Sequence, residues 1–303
     1  MPAARRLTVY EPFRSIFYAP QFVALHGRHF AAEGLDVSIV TADRITTTAA
    51  LIDGHAEIAL GGIMRSLDVA DRGGPFLVHF AEVNQRNGFF LLSRAPRPQF
   101  AWTDVVGRTV ISFAEAPTPW QCMLTVLRRH GIDPQTVTIE RTRPLADALA
   151  AFKAGHGDFF ETGQPFTEQL LADGTAHLAA SMGDATGPVP FSSFMTTERF
   201  LREQRDVVRR FTRALYQAQR WIAGADAKQI AELIAPAFPD VAPDIRHRAV
   251  ARYLGQDTWS RDPIVRQPGY EYLQTILLDG GFITRRHRYE DLVDTTVARE
   301  VVA

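Results

Sequence analysis

Leu7-Thr8-Val9-Tyr10 alternates in polarity and predicts a strand over 7–11. A helix is expected from about Tyr18 to Glu33, stopped by Gly34, and Leu35-Asp36-Val37 starts the next strand. The pattern then predicts a helix near 45–53, a strand at 57–61, a helix near 64–72 ended by Gly73-Gly74, and an apolar run over 75–83. Asn84-Gln85-Arg86-Asn87-Gly88 turns the chain into Phe89-Phe90-Leu91-Leu92. Arg94-Ala95-Pro96-Arg97-Pro98, with two prolines, suits an extended connector, and Gly187-Pro188-Val189-Pro190 suits a return. Beyond it the pattern is helical. Val207/Val208, Phe211, Ala214/Leu215, Ala218 and Trp221/Ile222 follow 3.6-residue spacing within 198–223, and helices are expected at 226–235, 243–254 and 268–278. The expected organisation is a discontinuous first lobe, 1–95 plus 191–303, and a second lobe, 96–190.

The pattern repeats. Gly54-His55-Ala56-Glu57-Ile58 and Gly155-His156-Gly157-Asp158-Phe159 each close an apolar helical stretch and open a short apolar strand, 101 residues apart. Leu7–Tyr10 recurs as Arg108-Thr109-Val110-Ile111, and Val37-Ser38-Ile39-Val40 as Val137-Thr138-Ile139-Glu140. Three elements in one phase indicate a duplicated β-α-β-α-β half. Two similar α/β lobes imply a cleft that binds a small molecule.

At 303 residues, with 46% hydrophobic and 22% charged, the chain can hold two full cores. A formal charge of −1 gives no reason to expect nucleic acid as a partner. No apolar run approaches the ~20 residues of a membrane span, so direct insertion is not expected. No apolar h-region precedes the first strand. The chain as written therefore points to the cytoplasm, or to the periplasm if a leader has been trimmed. The single cysteine, Cys122, lies in a helical pattern and reads as a buried structural thiol.

Ligands in open α/β lobes sit beyond the carboxyl ends of strands, near helix starts. This selects four loops. The first carries Glu11, Phe13, Arg14 and Tyr18; the second, Gly61, Gly62, Met64 and Arg65. The second-lobe equivalents carry Ser112, Phe113, Glu115 and Thr118, and Glu161 and Thr162. Asn84, at the turn after the apolar run, joins the candidates. Arg14 and Arg65 offer planar forks for a carboxylate, sulfonate or phosphate, or are simply solvated. Phe13, Tyr18, Phe113 and Trp120 form an aromatic wall for the ligand, or pack within their lobes. Thr118-Pro119-Trp120-Gln121 has the form of a capping box; its amides either only begin a helix or also meet an anion. Gly61-Gly62 allows close approach of backbone to a ligand. His26 and His29 stand at i, i+3 with no acidic third ligand at a recognisable spacing, so no metal site is expected, and no cofactor motif is present.

Phe22 to Val37, ending Phe30-Ala31-Ala32-Glu33-Gly34-Leu35-Asp36-Val37, resembles the A-x-x-x-G-x-F-x-x-E-G-L-D-V signature of one family. That family holds the aliphatic-sulfonate, taurine and nitrate binding proteins and the thiamine-pyrimidine precursor synthases. Ala50 to Ala59 is similar to its A-L-x-x-G-x-x-D-I-A, with Glu57 for Asp, and Phe211 to Ala218 to its F-x-x-A-L-x-x-A. The resemblance implies an α/β type II periplasmic-binding-protein fold, two lobes with a central ligand cleft and C-terminal helices. It implies an anionic or heteroaromatic ligand and a membrane permease as partner. The pyrimidine synthases use a lysine-bound pyridoxal phosphate and a Cys-rich motif. Here the only lysines, Lys153 and Lys228, fall outside the cleft loops, and Cys122 stands alone. The related aromatic sulfinate desulfinase uses a cysteine after the first strand, where this chain has Glu11-Pro12-Phe13-Arg14.

The first expectation is therefore a solute-binding receptor of an ABC-type importer. The competing one is a cytoplasmic lyase, decarboxylase or desulfinase-like enzyme on the same fold, with Glu11, Glu115 and Glu161 as acid or base.

Overall fold

The computed structural model describes residues 4–42, 45–114 and 117–303. Unit 1 comprises Met1–Gln85 and Val189–Ala303, and unit 2 comprises Arg86–Pro188.

Unit 1 is built on β1 (Arg5–Glu11), β2 (Leu35–Thr41), β3 (Ile58–Gly61), β4 (Leu77–Asn84) and β10 (Ser192–Thr197), in the order β2-β1-β3-β10-β4. β1 runs parallel to β2 and β3, while β10 is antiparallel to β3 and β4. The long helix Arg205–Gly224 places Phe211 in the core, with ring centroids 4.8 Å from both Phe30 and Phe194. In unit 2, β5 (Phe90–Ser93), β6 (Thr109–Ile111), β7 (Thr138–Glu140), β8 (Phe159–Thr162) and β9 (His177–Ser181) take the order β7-β6-β8-β5-β9. β6 is parallel to β7 and β8, and β5 is antiparallel to β8 and β9.

The two sheets correspond strand for strand, and the duplication extends to register. Val9 faces Ile58 and Tyr10 faces Ala59; Val110 faces Phe159 and Ile111 faces Phe160, each pair 101 residues later. The acidic residue of the repeated Gly motif has the same task in both copies. The Glu57 carboxylate accepts from the Thr8 amide at 2.8 Å, and the Asp158 carboxylate from the Thr109 amide at 3.0 Å. Each ties the entrance of one parallel strand to its neighbour, satisfying a backbone donor that the short ladder leaves over.

Three expectations are corrected. The first crossing falls at Gln85–Arg86, not at Arg94–Pro98, because β5 hydrogen-bonds to β8 and β9 and so belongs to the second sheet. A continuously apolar strand carries no face alternation to assign it to one sheet. The helix expected over 18–33 is three pieces: a 3-10 turn Ile16–Tyr18 and the helices Ala19–His26 and His29–Ala32. Arg28 breaks it at φ +62°, where the family signature carries glycine. His26 and His29 therefore lie on separate helices. The chain also ends in two short helices, Tyr289–Leu292 and Thr296–Val302, that no periodic pattern announces.

Gly157 is needed where it stands. Its φ is +73°, and a Cβ there would sit 2.8 Å from both Cγ1 and Cδ1 of the buried Ile111. Gly157→Ala is expected to cost about 2–4 kcal/mol, combining left-handed strain with overpacking. Gly155→Ala, with φ +98° but nothing within 4 Å, is expected to cost less. Urea midpoints of the two variants check the difference.

Candidate functional site

β1 of unit 1 ends on Glu11, whose carboxylate is fully buried. Its Oε1 accepts from Arg14 Nε at 2.5 Å and Thr41 Oγ1 at 2.8 Å, and its Oε2 from Gln21 Nε2 at 2.5 Å. Burial raises the Glu11 pKa, while the Arg14 charge and these donors pull it back. The Arg14 guanidinium also lies 4.9 Å from the centre of the Phe22 ring. Arg14 is thus engaged by a carboxylate of its own chain, which the loop's sequence did not reveal.

The helical turn after that loop brings Tyr18 inward to 2% exposure, with its side chain hydrogen-bonded to Ser192 of β10. Burial raises the pKa of this phenol, and the Arg65 charge opposes the shift. Arg65 is on the helix Ile63–Asp71, whose start is the Gly61-Gly62 turn. A Cβ on Gly61 would lie 3.4 Å from Thr47 Oγ1 and 3.5 Å from Arg65 Cδ; one on Gly62 would lie 3.3 Å from the Phe191 carbonyl and 3.4 Å from Met64 Cγ. The missing side chains let these neighbours pack directly against the backbone. Asn84, paired in register with Ser192, donates its amide to the Phe17 carbonyl at 2.8 Å. Its Oδ1 and the Thr47 hydroxyl are both buried and have no partner among the described residues. Unit 1 therefore gathers Tyr18, Gly61, Gly62, Met64, Arg65 and Asn84, as the sequence listed them, and adds Thr47 and Ser192. Phe13 packs on Tyr18 at 5.5 Å.

Unit 2 builds a second polar cluster at the ends of β6 and β8. Ser112 Oγ donates to Glu161 Oε2 at 3.1 Å, while Glu161 Oε1 and Thr162 Oγ1 are buried without partners among the described residues. Burial pushes the Glu161 carboxyl up to about 8, so it is a neutral acid at pH 7 and a hydrogen-bond donor. Cys122 is buried beside it; burial, then the Glu161 charge, pushes the thiol to about 12.

The rest of the expected second-lobe list is dispersed. Thr118 is the second residue of the helix Pro117–Arg129 and not its cap, since Pro117 itself suits a first helical turn. Glu115 lies outside the described residues. Phe113 packs on Phe89 at 5.6 Å, and Trp120 is half-buried under the Arg141 guanidinium, 3.9 Å from the ring centre. The aromatic residues thus have neighbours within their own units. Among the described residues, no three His, Cys, Asp or Glu side chains are placed to hold a metal ion, and no helix is long and apolar enough to cross a membrane.

Residues 16–226 match the NMT1/THI5 like family. A Bacillus subtilis (strain 168) protein named Putative binding protein YtlA is 31% identical over 303 residues, covering 98% of this chain and 90% of its own. The alkanesulfonate-binding protein SsuA from Xanthomonas axonopodis pv. citri, solved with MOPS bound, matches with a TM-score of 0.73 at 18% identity, over 97% of this chain and 99% of its own. The ligand-binding component of an ABC-type import system from Staphylococcus aureus, solved with zinc bound, matches with a TM-score of 0.76 at 14% identity, over 98% and 99%. At these identities the two solved structures speak for the fold.

Proposed function

The chain belongs to the NMT1/THI5 like family and has the periplasmic-binding-protein fold, and on that premise we propose that it is a solute-binding protein for a small anionic or heteroaromatic molecule. The observation that carries the reading is the group around Arg65. A part-buried guanidinium stands beside a buried phenol, Tyr18, with the Gly61 backbone close against its stem. Thr47 Oγ1 and Asn84 Oδ1 are buried polar atoms of the same group that lack partners among the described residues. A guanidinium favours an anion with two adjacent oxygens. The Bacillus relative is named a binding protein, the Xanthomonas structure is an alkanesulfonate-binding protein, and the Staphylococcus one a component of an ABC-type import system. By that kinship the chain would present its ligand to a membrane permease.

The test is proton NMR of the purified chain with alkanesulfonates, aromatic carboxylates and pyrimidines, followed over a day. Saturable line broadening of one compound, without new peaks, is expected.

A second reading, a catalyst on the same fold, has one observation in its favour. A buried carboxyl with a pKa pushed up to about 8 and one oxygen without a partner among the described residues is suited to general acid chemistry. New peaks that grow with time and vanish in Glu161→Gln would establish it and overturn the receptor.

A further inference from the structure

Pro20 deprives a carbonyl of its ordinary partner. In the 3-10 turn Ile16–Tyr18 the Ala19 amide donates to the Ile16 carbonyl, three residues back. The next bond in that series would run from residue 20 to the Phe17 carbonyl, but Pro20 has no N–H. Phe17 is buried, and a bare buried carbonyl is costly.

Two side chains replace the missing amide. Asn84 Nδ2 donates to the Phe17 carbonyl at 2.8 Å and Trp259 Nε1 at 2.9 Å, filling both of its lone pairs. Asn84 on β4 and Trp259 in the segment 257–261 form an isolated antiparallel bridge, so their side chains leave the backbone on the same side. Flanking backbone bonds fix the bridge: the Gln85 amide donates to the Thr258 carbonyl at 3.0 Å, and the Ser260 amide to the Val83 carbonyl at 2.9 Å. The Trp259 ring packs edge-on against Tyr253, 5.7 Å between centroids, and Tyr253 packs on the Phe17 ring at 5.8 Å. Pairing and packing together hold the indole on that carbonyl.

The peptide that carries the Phe17 carbonyl also carries the Tyr18 amide, which donates to the Ser15 carbonyl at 3.0 Å. A planar peptide bonded at both ends is held against rotation, and it sets the direction in which the next residue leaves. That residue is Tyr18, whose phenol stands beside Arg65. A group that meets a ligand binds best when its supports hold it in place beforehand. We infer that Trp259 is a positioning residue for binding, one that touches no ligand and aims Tyr18 through the Phe17 carbonyl. The inference rests on the receptor reading, in which Tyr18 and Arg65 meet the ligand.

Trp259→Phe keeps a ring against Tyr253 and removes the donor. The first readout needs no ligand: NMR of the chain with carbon-13 at the Cζ of its seven tyrosines. Tyr18→Phe identifies the Tyr18 signal. Trp259→Phe is expected to shift or split it, while Gln219→Leu, which breaks a buried bond to the Glu82 carbonyl but none to Phe17, leaves it in place. The second readout is calorimetry with ethanesulfonate. Trp259→Phe is expected to weaken binding about fivefold in the parent and less than twofold in Tyr18→Phe, where the phenol it aims is gone. A merely structural loss would carry through both backgrounds. Should Trp259→Phe fail to fold, benzothienylalanine at position 259, in which sulfur replaces the indole N–H, removes the donor without changing the shape. An unmoved Tyr18 signal overturns the inference, as does an unchanged affinity or an equal loss in both backgrounds. A parent that does not bind ethanesulfonate removes the sulfonate form of the receptor reading instead, and the Tyr18 signal then decides on Trp259 alone.

Discussion

Replacing Arg65 by alanine weakens binding of the ligand found in the NMR panel by roughly 10- to 150-fold, the equivalent of about 1.5–3 kcal/mol for a desolvated charged hydrogen bond. Burial lowers the Arg65 pKa, but a guanidinium keeps its charge even so. The cost of burying it is already met in the unliganded chain, so an anion collects most of the interaction. Arg65→Lys should recover part of the loss, because an ammonium restores charge without the two-pronged geometry. Arg14→Ala is the internal comparison. Its guanidinium holds Glu11, so its loss should lower the unfolding midpoint more than the affinity. Titration calorimetry on the three variants separates these outcomes; an Arg65→Ala affinity within about twofold of the parent would remove the Arg65 group from the binding site.

The second large effect is in stability against pH. Burial pushes both Glu82 and Glu161 up to about 8. Unfolded, each titrates near ~4.3. Between these values the folded chain keeps protons that the unfolded chain has released, so stability falls as pH rises. The folding penalty is absent below the unfolded pKa and complete above about pH 8, on the order of a few kcal/mol for each group. His79 works the other way. It is buried between Ser66 and Ser193 and held neutral, its pKa pushed down to about 3, so stability drops as pH falls below ~6.5. From pH 6.5 to 8 only the glutamates contribute to this slope. Glu82→Gln and Glu161→Gln are therefore expected to stabilise at pH 8, to change little at pH 5, and together to flatten the profile. Urea denaturation at three pH values gives the answer, and parallel profiles for parent and double variant would refute it.

The duplicated framework was legible because it is written locally. A glycine that ends a helix, an acidic residue and a short apolar strand are contiguous, and their repetition at one spacing carries through to strand register. The carboxyl ends of the strands were legible as places, but their chemistry was only partly so. Arg65, Tyr18 and Asn84 do come together. Ser192, which bonds Tyr18, arrives on β10 from far along the chain and carries no motif. Thr47 looks like one of three equivalent threonines until Gly61 is packed against it. Arg14 was ambiguous because a loop sequence does not show which way a guanidinium turns; the buried Glu11, three residues earlier, decides it. The crossing at Gln85 was hidden by the uniform apolarity of β5.

The duplication also stops short of the carboxyls. In unit 1 the acid closes β1, as Glu11, and Leu60 occupies β3; in unit 2 Ser112 follows β6, and Glu161 occupies β8. Equivalent positions thus hold opposite characters, and one backbone plan carries two different chemistries.

Cys122 has a practical consequence. It is the chain's one thiol, fully buried and pushed to about 12, so it offers little thiolate to an alkylating reagent while unit 2 stays folded. Unit 1 contains no cysteine at all. The chain is therefore its own blank for site-directed labelling: a fluorophore or spin probe attached through a cysteine introduced on either unit would report from that position alone, with no native residue to remove beforehand.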